Sequence, residues 1–154
     1  MGIEVSLDER LKSTLLSRCM QPGLQAISEK SKIKSVLPIN IKRSVNIDAC
    51  LQDRFPRDPR WDYLIIYTES EEITFFVEIH EAKDSEVERV IKKVQWVRGF
   101  LEDQGINLRD YFHEFHWLSS NGVHMSPNSL LAKKLARYGI SGPKSFLWLA
   151  IKKK

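Results

Sequence analysis

Apolar residues recur along this chain in two spacings. The wider one, every third or fourth residue, begins at Ser6. Ser6 and Glu9 have capping-box spacing, and Leu7, Leu11, Leu15 and Leu16 carry a helical stripe to about Met20, where Pro22 and Gly23 break it. The stripe resumes over residues 24–35, with Leu24, Ile27 and Ile33 set against Glu29, Lys30, Lys32 and Lys34. Strict alternation then takes over at 44–51: Val45, Ile47, Ala49 and Leu51 share one face of a predicted half-buried strand, with Asn46, Asp48 and Cys50 on the other. Residues 52–60 hold Pro56 and Pro59 and cannot be a central strand. Two apolar runs follow, 61–67 and 73–83, joined by the polar turn Thr68 to Glu72.

The clearest helix comes next. Ser85 and Glu88 repeat the capping-box spacing, and Val87, Val90, Ile91, Val94, Val97 and Leu101 form its buried stripe until Gly105. Arg89, Lys92 and Lys93 fall off that stripe and are expected to be exposed, as is Gln95. Residues 113–119 alternate as a strand, with Phe115 and Trp117 on one face and Glu114, His116 and Leu118 on the other. Asn121-Gly122 is a turn signal, Ser126 and Pro127 open a helix that ends at Gly139, and 144–151 alternates around Phe146 and Trp148. The order of helices, three strands, a long helix, a strand, a helix and a strand predicts an α/β (α+β) fold with a mixed central sheet flanked by helices. One domain over 1–154 suffices, because no repeat or low-complexity segment divides the chain.

Within the run 73–83 an apolar strand carries charge. Glu78 and His80 point to one face while Val77 and Ile79 point to the other. If the two apolar runs pair as an antiparallel hairpin, Asp62, at the start of the first, lies beside Glu78, near the end of the second. Asp62, then Phe75-Phe76-Val77, Glu78, Ile79 and His80 resembles the signature of the PD-(D/E)XK nuclease superfamily, with histidine where that family has lysine. The resemblance spans roughly residues 45–119.

It implies a restriction-endonuclease-like core and a divalent-metal-dependent nuclease that hydrolyses phosphodiester bonds of DNA or RNA. Asp62, Glu78 and the backbone carbonyl of Ile79 would hold Mg²⁺ or Mn²⁺, and Glu9 or Glu29 is a possible third acid, although a surface role fits each better. His80, or Lys83 reaching back from the start of the next helix, would stand in for the lysine. A literal acid-x-lysine also exists at Glu81 and Lys83, but in a regular strand it would face the core. Gln95 is followed four residues later by Gly99, so the glutamine–tyrosine pair that some relatives carry on this helix is absent. The histidine substitution also supports a second reading, a noncatalytic nuclease-like domain that binds nucleic acid or protein. A transition-metal site built from His80, His116 and His124 is a weaker alternative, because the chain shows no ligand spacing and His113 and His116 face opposite ways in a strand.

Composition narrows the picture further. Apolar residues make up 42% and charged residues 29% of the 154, with a net charge of +4. Acids crowd Glu69 to Glu88, and bases crowd Lys30 to Arg60 and Lys133 to Lys154. A basic surface around an acidic centre suits a nucleic-acid partner. Arg54, Arg57 and Arg60 on the proline-bearing loop, Trp61 beside it, and Lys133, Lys134 and Arg137 on the late helix are the candidate contacts. Asp48 is expected to be a solvated strand-face residue. Cys19 and Cys50 are expected as free thiols in a reducing compartment. No apolar run approaches the roughly 18 residues of a membrane span, so the expectation is a cytoplasmic protein off the membrane, and duplex cleavage would favour a homodimer.

Overall fold

A computed structural model of the protein describes residues 5–35, 39–124 and 130–149. Its helices are α1 (Leu7–Leu11), α2 (Ile47–Leu51), α3 (Val87–Asp103) and α4 (Leu130–Arg137). Its strands are β1 (Met20–Pro22), β2 (Ile33–Ser35), β3 (Asn40–Asn46), β4 (Tyr63–Thr68), β5 (Glu72–Lys83), β6 (His113–His124), β7 (Ile140–Lys144) and β8 (Leu147–Leu149). Six strands form one sheet in the order β1-β3-β4-β5-β6-β7, and β2 and β8 form a separate parallel pair. The first four strands of the large sheet pair antiparallel, whereas β5-β6 and β6-β7 pair parallel, so the expected mixed sheet is present.

Both faces of the sheet are covered, which is why β4 and β5 read as nearly continuous apolar runs. On one face the α3 stripe meets Leu64, Ile66, Phe76, Phe115 and Trp117. On the other, Tyr63, Ile65, Tyr67, Phe75, Val77 and Leu118 pack beneath Ile27, Leu147 and Leu149. Parallel strands need a crossover, and α3 provides it between β5 and β6.

Several elements differ from the reading of the sequence. Ser6 does cap α1, accepting a hydrogen bond from Glu9 N at 3.1 Å, but the helix lasts five residues and the later leucines lie in turns. Residues 24–35 form turns, a 3-10 segment and β2 in place of a helix. The strand expected over 44–51 ends at Asn46, whose side chain accepts from Ala49 N at 2.9 Å and so starts α2. Ser85 lies in a 3-10 turn and does not cap α3. Asn121 and Gly122 sit in a bulge: His80 pairs with Ser119, and Ala82 with Val123. The expected last strand divides between β7 in the main sheet and β8 against β2, while the chain leaves α4 through Gly139 with φ 77°. The proposed start at Ser126 and Pro127 lies outside the described residues.

Cys19 and Cys50 are bonded to one another, with Cα atoms 6.0 Å apart. This corrects the expectation of free thiols. It also removes the thiol argument for a reducing compartment. No helix of the described residues is long and apolar enough to cross a membrane.

Candidate active site

The hairpin register Tyr63↔Val77 places Asp62 and Glu78 across from one another. Each carboxylate is fixed by the other residue's strand. Asp62 N donates to Glu78 Oε1 at 3.1 Å, and Ile79 N donates to Asp62 Oδ2 at 3.0 Å. In a strand a residue's N–H and C=O lie on the same edge, so the Ile79 carbonyl also faces the Asp62 side. The backbone carbonyl of Asp62 accepts from Ile47 N (2.8 Å) and Asp48 N (3.3 Å), which ties α2 to the start of β4.

The cation at this site comes from α3. Lys93 Nζ donates to Glu78 Oε2, and its side chain is 15% exposed. This overturns the expectation that Lys93 is a surface residue. A signal for it was present: Lys93 lies three residues after Val90 and four before Val97, at the margin of the buried stripe, and a four-carbon stem reaches from there to the sheet.

His80 lies next along β5. Its Nδ1 is 3.9 Å from Glu78 Oε2, and its Nε2 is 2.6 Å from Glu86 Oε1, while Arg89 Nε is 3.4 Å from the same Glu86 oxygen. The hydrogen bond with His80 holds the Glu86 carboxyl below the usual carboxylate range. Trp117 Nε1 donates to the His80 carbonyl at 3.2 Å. The acid pair is thus flanked by Lys93 and a His80–Glu86 couple.

Lys83 does not join them; it pairs with Glu81 at 3.4 Å, both side chains nearly half exposed. Glu9 pairs with Lys12 and Glu29 with Lys32, so neither is a third acid. Asp48 comes closer than the sequence suggested. It is on α2, Arg60 Nε binds its Oδ1 at 2.9 Å, and its charge adds to the causes that raise the pKa of Asp62 and of Lys93. Arg60 is thereby committed to Asp48 and to the Phe55 carbonyl, while Arg54 and Arg57 remain exposed on the loop. Trp61 is fully buried, edge-on to Phe115, with Nε1 donating to Tyr63 O; this corrects its assignment as a base-stacking residue. Lys133 and Arg137 are exposed on α4, and Lys134 pairs with Glu88.

Among the described residues the histidines do not assemble. His116 packs against Phe75 on the opposite face of the sheet, with Nε2 2.8 Å from Glu114 and Nδ1 2.9 Å from Lys144 Nζ, and His113 Nδ1 meets the Tyr111 carbonyl. The side chain of His124 lies outside the described residues.

Burial raises the pKa of Asp62, and burial together with the Asp62 charge pushes Glu78 up to about 8, against the pull of Lys93. Lys93 itself is raised by Glu78 and Asp62 in spite of its own burial, so near neutral pH Glu78 is the group of the pair that titrates. A carboxyl whose folded pKa lies above its unfolded value of 4.5 favours folding only while it keeps its proton. Stability in metal-free buffer is therefore expected to fall as pH rises from about 4.5 to about 8, by about 1.4 kcal/mol per pH unit at most. Melting temperatures recorded across that window would show the slope in the wild type and lose it in Glu78→Gln. An equal slope in both would locate the titration elsewhere.

Comparison with protein-family models, curated proteins and solved structures returned no match.

The oxygen donors suit a hard divalent cation. Asp62 Oδ1 receives no hydrogen bond from the described residues and is not sealed from solvent. Two repelling carboxyls are relieved by a cation as well as by a proton. No group of three or more His, Cys, Asp or Glu side chains is arranged to hold a metal ion among the described residues, so water or substrate oxygens would complete the coordination.

Proposed function

We propose that this chain is a divalent-metal-dependent nuclease with a restriction-endonuclease-like core, acting on phosphodiester bonds of DNA or RNA. The observation that carries the reading is the convergence of Asp62 and Glu78 at the hairpin end with the Lys93 ammonium on Glu78. Asp62, Glu78 and the Ile79 carbonyl are the residues that would hold Mg²⁺ or Mn²⁺, which when bound neutralises phosphate charge and lowers the pKa of a water. Lys93 supplies from a helix the positive charge that the family motif takes from the strand. His80, oriented by Glu86, offers a ring nitrogen beside the acid pair to accept a proton. Arg54 and Arg57, exposed on the loop, would contact phosphates, and Lys133 and Arg137, exposed on α4, would add positive surface.

A second reading, a noncatalytic nucleic-acid- or protein-binding relative, is favoured by one observation. Both Glu78 oxygens and Asp62 Oδ2 already have protein donors, so the cluster closes on itself without a cation. Metal removal separates the two. Protein stripped with chelator is expected to leave labelled single-stranded and duplex DNA and RNA intact, and added Mg²⁺ or Mn²⁺ to restore cleavage of at least one. No calorimetric binding of either cation, with no cleavage, would sink the nuclease reading and leave the second.

A further inference from the structure

The small β2–β8 pair has an outer surface that the proposed cleavage centre does not use. In β8, Leu147 and Leu149 are buried, whereas Trp148 and the preceding Phe146 are 53% and 45% exposed. Lys34 of β2 lies opposite Trp148 in the parallel register, and its Nζ sits 4.6 Å above the Phe146 ring centroid. Two exposed aromatic rings, Phe146 with the Lys34 ammonium over one face and Trp148 beside Lys34 in the register, therefore form one platform. Lys30, in the 3-10 turn that leads into β2, is exposed and makes no ion pair among the described residues; its Nζ donates to the Ile27 carbonyl at 3.1 Å. Lys32 lies 3.9 Å from Glu29, so that ammonium is already partnered. The platform is aromatic and positively charged.

We infer that this surface binds single-stranded nucleic acid, with unpaired bases stacked on Phe146 and Trp148 and phosphates drawn by Lys30 and Lys34. Charge complementarity selects a polyanion, and exposed rings select one with free aromatic faces. A duplex keeps its base faces inside its own stack, so it can meet the lysines and not the rings. An acidic peptide would satisfy the lysines and leave the two rings without a matching surface. The inference rests on the nucleic-acid part of the proposed function and does not require cleavage.

The test uses the full chain in EDTA, where metal-dependent cleavage is silent, with fluorescein-labelled oligo(dT) of about 16 nucleotides and a duplex of equal length read by anisotropy. The wild type is expected to bind the single strand at least about tenfold more tightly than the duplex, less so as salt rises. Trp148→Ala and Phe146→Ala should each weaken binding about tenfold, and Lys34→Gln a few-fold. Both aromatic side chains are substantially exposed, so unchanged melting temperatures show that the variants are folded. Equal binding by variants and wild type, equal affinity for duplex, no binding at all, or a change of oligomeric state in Trp148→Ala in place of a binding loss would each overturn the assignment. Cleavage assayed separately with Mn²⁺ keeps the two proposals apart. Stacking without cleavage defeats only the nuclease, and cleavage with an unchanged KM in Trp148→Ala counts against the platform alone.

Discussion

Lys93→Met is expected to lower folding stability by about 1.4 kcal/mol more at pH 9 than at pH 5. Glu78 is completely buried, and Lys93 is its charged partner. Without the ammonium Glu78 keeps its proton to higher pH, and the stability that ionisation gives the wild type between pH 8 and pH 9 is lost. At pH 5 the same carboxyl already holds a proton in the folded protein, because its pKa is raised to about 8, so little is lost with the partner. Urea unfolding of wild type and variant at pH 5 and pH 9 reads the difference directly. The same substitution should reduce metal-dependent cleavage by about 10²- to 10⁴-fold, the range for losing a group that positions or transfers a proton. Stability that is equal at pH 9 would show that the ammonium does not hold Glu78.

Where the sequence spoke clearly, one physical constraint dominated. The Asp62–Glu78 meeting was legible because a short polar turn between two apolar runs fixes an antiparallel register, and that register alone brings the two acids together. Helix α3 was legible because its seven buried positions repeat over 17 residues. The N-terminal third was not, since a few leucines at helical spacing also satisfy short turns packed on the sheet edge, and tertiary contacts decided between them. Leu7 N, for example, donates to Glu72 Oε1 on β5. At Asn46 alternation and capping competed, and capping won because the Asp62 carbonyl takes both Ile47 N–H and Asp48 N–H. Lys93 was missed for another reason: periodicity gives the direction of a Cβ and not how far a lysine reaches. The Cys19–Cys50 bond joins residues far apart in sequence, and neither their spacing nor their number announced it.

Asp62→Asn should abolish divalent-cation binding and reduce cleavage about 10³-fold or more, while making the metal-free protein more stable. Asparagine has the shape of aspartate and keeps an oxygen for the Ile79 N–H, so the hairpin end is preserved. What it removes is a partly buried negative charge beside Glu78, the second cause of that carboxyl's raised pKa. Glu78 then ionises more easily, and the gain should be about 1 kcal/mol near pH 8, where the two charges coexist in the wild type. Stability and function move in opposite directions here, and this separates a metal site from a structural ion-pair cluster. If Asp62 served only to brace the hairpin and balance Lys93, the asparagine protein would melt lower with or without cation. If the acid pair is held apart for a cation, wild-type melting rises on adding Mn²⁺ and that of Asp62→Asn does not. Melting curves of both proteins in EDTA and in Mn²⁺, at pH 8, give all four values in one experiment. An asparagine variant that is less stable in EDTA and still stabilised by Mn²⁺ would reject Asp62 as a ligand.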